Sequence, residues 1–191
     1  MSKKILIPSL SLALLLVISV PISSVNAGGK WWKRNVNWRI AGTIVQLLDI
    51  TSPVDLTEGS YSLINLTARG APGSAKITLL SRLAFTAPAE AFSCPGDVMP
   101  IAYFDKNDMV AIFPDQSLLF AYIDDTQGGI LCPGADGTTY FKVKMNVKGG
   151  TGRFERVSGG VFIGEGNGYP VSQDSILAGE NGTITGTIDF D

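Results

Sequence analysis

The sequence predicts an all-β chain: a single antiparallel β-barrel of about eight strands, closed at one place by a glycine-rich corner. Three observations predict it. Residues 138–147 alternate apolar and polar almost without fault, with Phe141, Val143, Met145 and Val147 on one side and Tyr140, Lys142, Lys144 and Asn146 on the other, the period-two pattern of a strand with one buried face. Turn signals recur at short intervals along the chain, and no stretch carries the spacing of an amphipathic helix. A barrel is preferred to a sandwich because closure removes exposed sheet edges.

In order from the amino terminus, residues 1–27 read as an export signal: Lys3 and Lys4, an apolar run from Ile5 to Val20, then Val25-Asn26-Ala27, which fits cleavage after Ala27. The run is interrupted by Pro8 and is short for a bilayer span, so a cleaved signal is preferred to a retained anchor. The expected location is secreted or periplasmic. Cleavage removes two lysines and no acid, leaving 164 residues with 13 basic and 17 acidic side chains, a net charge of −4. That length suits one domain with a substantial core, and the acidic balance disfavours nucleic acid as a partner.

Residues 28–37 form a basic, Trp-rich segment ahead of the barrel domain, 38–191. Trp31, Trp32, Lys33 and Arg34 interleave indoles and cations, a combination suited to an anionic membrane surface or a cell-wall polymer. The competing reading has Trp38 opening the first strand while Trp31 and Trp32 cover a barrel end.

Strands are expected over 38–49, 60–68 and 75–86. Thr51-Ser52-Pro53 and Gly70-Ala71-Pro72-Gly73 separate them, and Arg82 lies on the polar face of the third. A loop over 87–98 holds Cys94. Short strands follow at 99–104, 109–113 and 117–123, with Asp105-Lys106-Asn107-Asp108 and Pro114-Asp115-Gln116 read as the turns between them. A polar loop over 124–137 contains Cys132. The strand over 138–147 comes next, and the last two span 159–165 and 183–190, with Ile184, Ile188 and Phe190 alternating against polar neighbours.

Between 146 and 160 lies the corner. Gly149, Gly150 and Gly152 allow positive φ or close backbone approach. Phe154, flanked by Arg153 and Arg156, is the one large apolar side chain within the turn and is expected to fold back as a plug. A phosphate-binding reading is weak, because such a loop leads into a helix and Gly159-Gly160 leaves little room for one. Gly149-Gly150-Thr151-Gly152-Arg153-Phe154, with Ser158-Gly159 after it, resembles the corner signature of the allene oxide cyclase-like and dirigent-like β-barrel superfamily, closest to its small secreted bacterial members. The resemblance covers roughly a tenth of the mature chain. It implies a closed barrel of about eight strands with a central cavity, in a group whose plant members act on hydrophobic small molecules. The corner residues carry over as structural positions and supply no catalytic group.

The sequence holds no histidine, which removes Ser-His-Asp and Cys-His catalysis and the usual zinc sites. Cys94 and Cys132, the two cysteines, most simply form a disulfide in an exported protein, worth about 3–4 kcal/mol by loop closure; a reactive thiol is the alternative. The aspartates fall in expected turns, their spacing matches no calcium loop, and neither a metal nor a cofactor is implied. Two functions remain open. One is a non-catalytic module binding a hydrophobic small molecule or a cell-surface component. The other is a cavity isomerase or cyclase, for which Arg82, Tyr140, Lys142 and Lys144 are the candidate inward polar groups of a barrel that is polar inside.

Overall fold

Alternation governs nearly the whole chain. The computed structural model describes residues 32–47, 60–171 and 177–191; the expected export signal and Trp31 lie outside them. Nine antiparallel strands are present among the described residues: β1 (Trp32–Leu47), β2 (Ser60–Ala71), β3 (Ala75–Ala84), β4 (Ala102–Ile112), β5 (Leu118–Ile123), β6 (Gly129–Pro133), β7 (Thr139–Gly150), β8 (Val157–Pro170) and β9 (Leu177–Phe190). β1 pairs with both β2 and β9, and β3 pairs with β4, so the sheet closes on itself. β5 and β6 share one position between β4 and β7. β5 pairs with Asp108–Ile112 of β4, and β6 continues the same line against Ala102–Phe104. The result is an eight-position barrel in which one wall strand is split.

The split has a local cause. The Asp124 carboxylate accepts hydrogen bonds from the backbone N–H groups of Thr126 and Gln127, both at 3.0 Å, and from the Thr126 hydroxyl. Lys144 Nζ lies 3.3 Å away and Asn146 Nδ2 donates at 3.2 Å. Hydrogen bonding from Thr126, with the other donors, holds this carboxyl well below the usual range despite its burial. Residues 124–128 therefore loop out around one anchored acid, and the ladder resumes at Gly129.

Four regions depart most from the sequence reading. Asp105-Lys106-Asn107-Asp108 is not a turn but the middle of β4; its acids and amide alternate in and out of the wall, and a bulge opposite Arg82 and Leu83 absorbs the irregularity. The expected polar loop over 124–137 contains β6, stabilised by pairing on both sides. β8 and β9 run to Pro170 and back from Leu177, beyond the expected ends at 165 and 183, because their glycines and asparagines pair with each other. β1 begins at Trp32 rather than Trp38, pairing Trp32–Val36 with Gly186–Phe190. No α-helix occurs among the described residues, only three short 3-10 turns.

One end of the barrel is filled. Trp38, Phe113, Phe154 and Phe162 are almost fully buried there. The Phe113 and Phe154 ring centroids stand 4.7 Å apart, and Trp38 lies about 6 Å from both Phe113 and Phe162. Trp38 Nε1 donates to the Gly73 carbonyl at 2.8 Å, which satisfies the one polar atom of the indole. Phe154 arrives on a 3-10 turn, Gly152–Phe154, that follows β7. Burying a ring of this size contributes about 1.5–3 kcal/mol. The corner is thus the plug expected of it.

Candidate functional site

Towards the opposite end β1, β3, β6 and β8 finish and β2, β4, β7 and β9 begin. There the inward side chains do not meet, and they leave a cavity of about 220 Å³. Its walls are mainly Ile40, Ile44, Ile64, Leu66, Leu79, Leu83, Phe104, Leu131, Phe141, Val143, Met145 and Ile184, with Gln46, Ser62, Asn107, Thr139 and Glu180 among them. Mostly apolar lining with a few converging polar groups is the usual constitution of a small-molecule site. For scale, an apolar cavity of about 150 Å³ takes up benzene, so this one has room for a somewhat longer molecule.

The polar groups come from positions where strand parity calls for apolar ones. Ser62 precedes Ile64, Leu66 and Ala68 on the inner face of β2. Ser81 follows Ala75, Ile77 and Leu79 on β3, and Asn107 precedes Met109 and Ala111 on β4. Ser62 pairs with Ser81 and Ser81 with Asn107, so the three make one row across three adjacent strands. All are buried, and neither Ser81 Oγ nor Asn107 Oδ1 has a hydrogen-bond partner.

Glu180 is likewise a polar residue in the buried phase of its strand, in step with Ile184 and Ile188 of β9. Its cross-strand neighbours are Gly42 and Gly168, which have no side chains to pair with it. Beyond Gly168 stands Thr139; a Cβ at 168 would lie 2.6 Å from its hydroxyl, so glycine is needed for that close approach. Glu180 is 7% exposed, and its Oε2 atom has no hydrogen-bond partner. Burial pushes this carboxyl up to about 7. It is the one titratable side chain lining the cavity among the described residues.

No family model, curated protein or solved structure matches this chain. What the site can do follows from its own chemistry. The cavity can enclose an apolar molecule, offer hydrogen bonds at a few points, and hold or release one proton near neutral pH. It presents no nucleophile paired with a base among the described residues.

The residues singled out in the sequence lie elsewhere. Tyr140, Lys142 and Lys144 project from the outer face of β7, opposite to the buried Phe141, Val143 and Met145. The Tyr140 hydroxyl reaches Glu165 at 3.5 Å, and Lys142 Nζ stands 3.6 Å from the same carboxylate. Lys144 serves Asp124. Arg82 forms a two-pronged pair with Asp105 on the outside of β3 and β4, and that hydrogen bonding raises its already high pKa. None of the four lines the cavity, so the expectation of an inward polar face built from them is corrected. The barrel turns its apolar faces inward, and these side chains pair with acids at the surface, where they remain hydrated.

Cys94 and Cys132 are bonded, with Cα atoms 5.8 Å apart, and neither is a free thiol. The bond ties the loop after β3 to the outer face of β6, where Ile130, Phe92, Tyr103 and Tyr140 form a second small apolar cluster. Within the corner motif, Gly149 and Gly152 have φ of +149° and +60°. Gly150 is held by contact instead: a Cβ there would meet Leu118 O at 2.4 Å and Phe154 Cβ at 2.5 Å. Thr151 Oγ1 accepts from the Leu118 N–H, and Arg153 lies over the Phe113 and Phe154 rings at 4.3 and 4.9 Å while reaching Asp115 at 3.5 Å. Trp32 stacks flat on Phe190 with centroids 4.0 Å apart, Lys33 reaches Asp189 at 3.5 Å, and Arg34 is exposed.

The functional residues that the sequence reading missed are Ser62, Ser81, Asn107 and Glu180. Each carried a legible signal, a polar residue in phase with the buried apolar positions of its own strand. Asn107 fell in an expected turn and Glu180 outside the expected strands, where phase was not followed.

Proposed function

We propose that this protein is an exported binding module that carries a small hydrophobic molecule in the half-filled end of its barrel. The observation that supports this most directly is the cavity itself, apolar on nearly every wall and sealed at the far end by the Phe154 plug. Exposed Phe85, Met99 and Ile101 stand just beyond the end of β3 and before β4, at the same end of the barrel, an apolar approach suited to such a ligand. The Cys94–Cys132 bond supports an oxidising compartment, in keeping with the signal read in residues 1–27. The closed eight-position barrel and its glycine corner support a distant relationship to the allene oxide cyclase-like and dirigent-like superfamily.

The test is uptake of an apolar fluorescent probe by the purified protein and by Ile44→Trp and Leu131→Trp, each of which puts an indole into the cavity. Probe binding is expected to fall at least tenfold in both while the circular dichroism spectrum is kept. Undiminished binding in two folded variants would place the ligand elsewhere and end this reading.

A second reading, an isomerase or cyclase, draws on one observation: Glu180 can exchange a proton near neutral pH inside an otherwise apolar space. Native mass spectrometry of the purified protein separates the two. A co-purified molecule that survives incubation with fresh protein unchanged favours carriage; its conversion favours catalysis.

A further inference from the structure

Given a binding role for the cavity, its chemistry narrows the ligand. Glu180 is more than nine-tenths buried, its Oε2 atom is unpaired, and the flanking Gly42 and Gly168 offer it nothing. No titratable or charged side chain faces it across the lumen: among the described lining residues β1, β2, β3, β4, β6, β7 and β8 contribute aliphatic, aromatic, hydroxyl, amide and glycine groups only. Of the other unpaired oxygens, Asn107 Oδ1 belongs to the lining and Ser81 Oγ to the residue paired with it across β3 and β4, and both can accept. Among the described residues the lumen offers no donor with positive charge.

We propose that the cavity selects hydrophobic amines, with Glu180 as the counter-ion to the ligand's ammonium group and the aliphatic walls enclosing its hydrocarbon part. This rests on the lumen being the binding site. An ammonium brings three donors and no acceptor, and beside a carboxylate in a water-poor space its hydrogen bond is charge-assisted and weakly screened. A fatty acid would set a second carboxylate beside Glu180 with no cation between them. An alcohol of the same length would fill the same space and gain no ion pair.

Calorimetric titration with octylamine, octan-1-ol and octanoate at pH 5 and pH 8 tests this. Octylamine stays cationic over that range, as an alkyl amine does below about pH 10. The ionised fraction of Glu180, with its pKa near 7, climbs from about 1% to about 90%, so the apparent affinity should rise by roughly two orders of magnitude. Octan-1-ol should bind more weakly than octylamine at pH 8 and show no such rise. Octanoate should fail to bind at pH 8. In Glu180→Gln the octylamine curve should become flat while octan-1-ol binding persists. If octan-1-ol binds but octylamine is flat or weakens with rising pH, or if the rise survives in Glu180→Gln, the amine assignment fails and the cavity reading stands. If neither octylamine nor octan-1-ol binds, both fall together.

Discussion

Glu180→Gln should make the protein more resistant to unfolding at alkaline pH than at acid pH, relative to the natural chain. The carboxyl lies at about 7 in the folded protein against an ordinary 4.5, because burial penalises its charged form. Each tenfold change in an ionisation constant is worth about 1.4 kcal/mol, so the full displacement corresponds to about 3 kcal/mol of stability. The sign follows from linkage: below about 4.5 the carboxyl is protonated in both states and carries no penalty. Between 4.5 and 7 the unfolded chain ionises while the folded one keeps its proton, so stability falls as pH rises. Above 7 the loss is complete. Between pH 5 and pH 8 the natural chain should lose about 2.5 kcal/mol from this group alone, and the glutamine variant should lose none of it. Urea unfolding of both proteins at the two pH values, taken as a double difference, cancels every other titrating group. Parallel behaviour of the two proteins, within about 0.5 kcal/mol, would show that Glu180 is neither desolvated nor displaced in its ionisation, and the account of the lumen would go with it.

Two other outcomes bear on the walls and the plug. Gly152→Val must adopt a φ near +60° and displace the Ser117 hydroxyl, while Gly150→Val must push aside the Leu118 carbonyl and Phe154; each should cost about 2 kcal/mol or more, seen as a lowered melting temperature, and unchanged melting in both would remove the structural account of the corner. Cys94→Ser with Cys132→Ser opens a bridge spanning 38 residues and should cost about 3–4 kcal/mol in chemical unfolding, with cavity binding kept because the bond lies on the outer wall; loss of binding in a folded double variant would tie the loop after β3 to the site.

The alternation over 138–147 was legible because each step along a strand reverses the side chain, and burial of Phe141, Val143, Met145 and Val147 follows from that geometry. Phe154 was legible for a similar reason, as a large ring among glycines with nowhere to hide but the core. Asp105 to Asp108 misled because charged clusters favour turns when judged locally, whereas here pairing of Lys106, Asn107 and Asp108 with Arg82, Ser81 and Leu80 of β3 holds the segment extended. Glycine and asparagine between 164 and 182 misled in the same way. They weaken a strand taken alone, and β8 and β9 compensate by pairing along their described length.

Composition and periodicity alone determined an all-β chain without histidine chemistry, the two cysteines available to pair, and the partition of each well-formed strand into two faces. They could not determine which face closes around the lumen, nor that polar residues from β2, β4 and β9 would end in the lining of one cavity. Those outcomes depend on register between strands far apart in the chain, and register is a property of the closed sheet, set by every pairing around it at once.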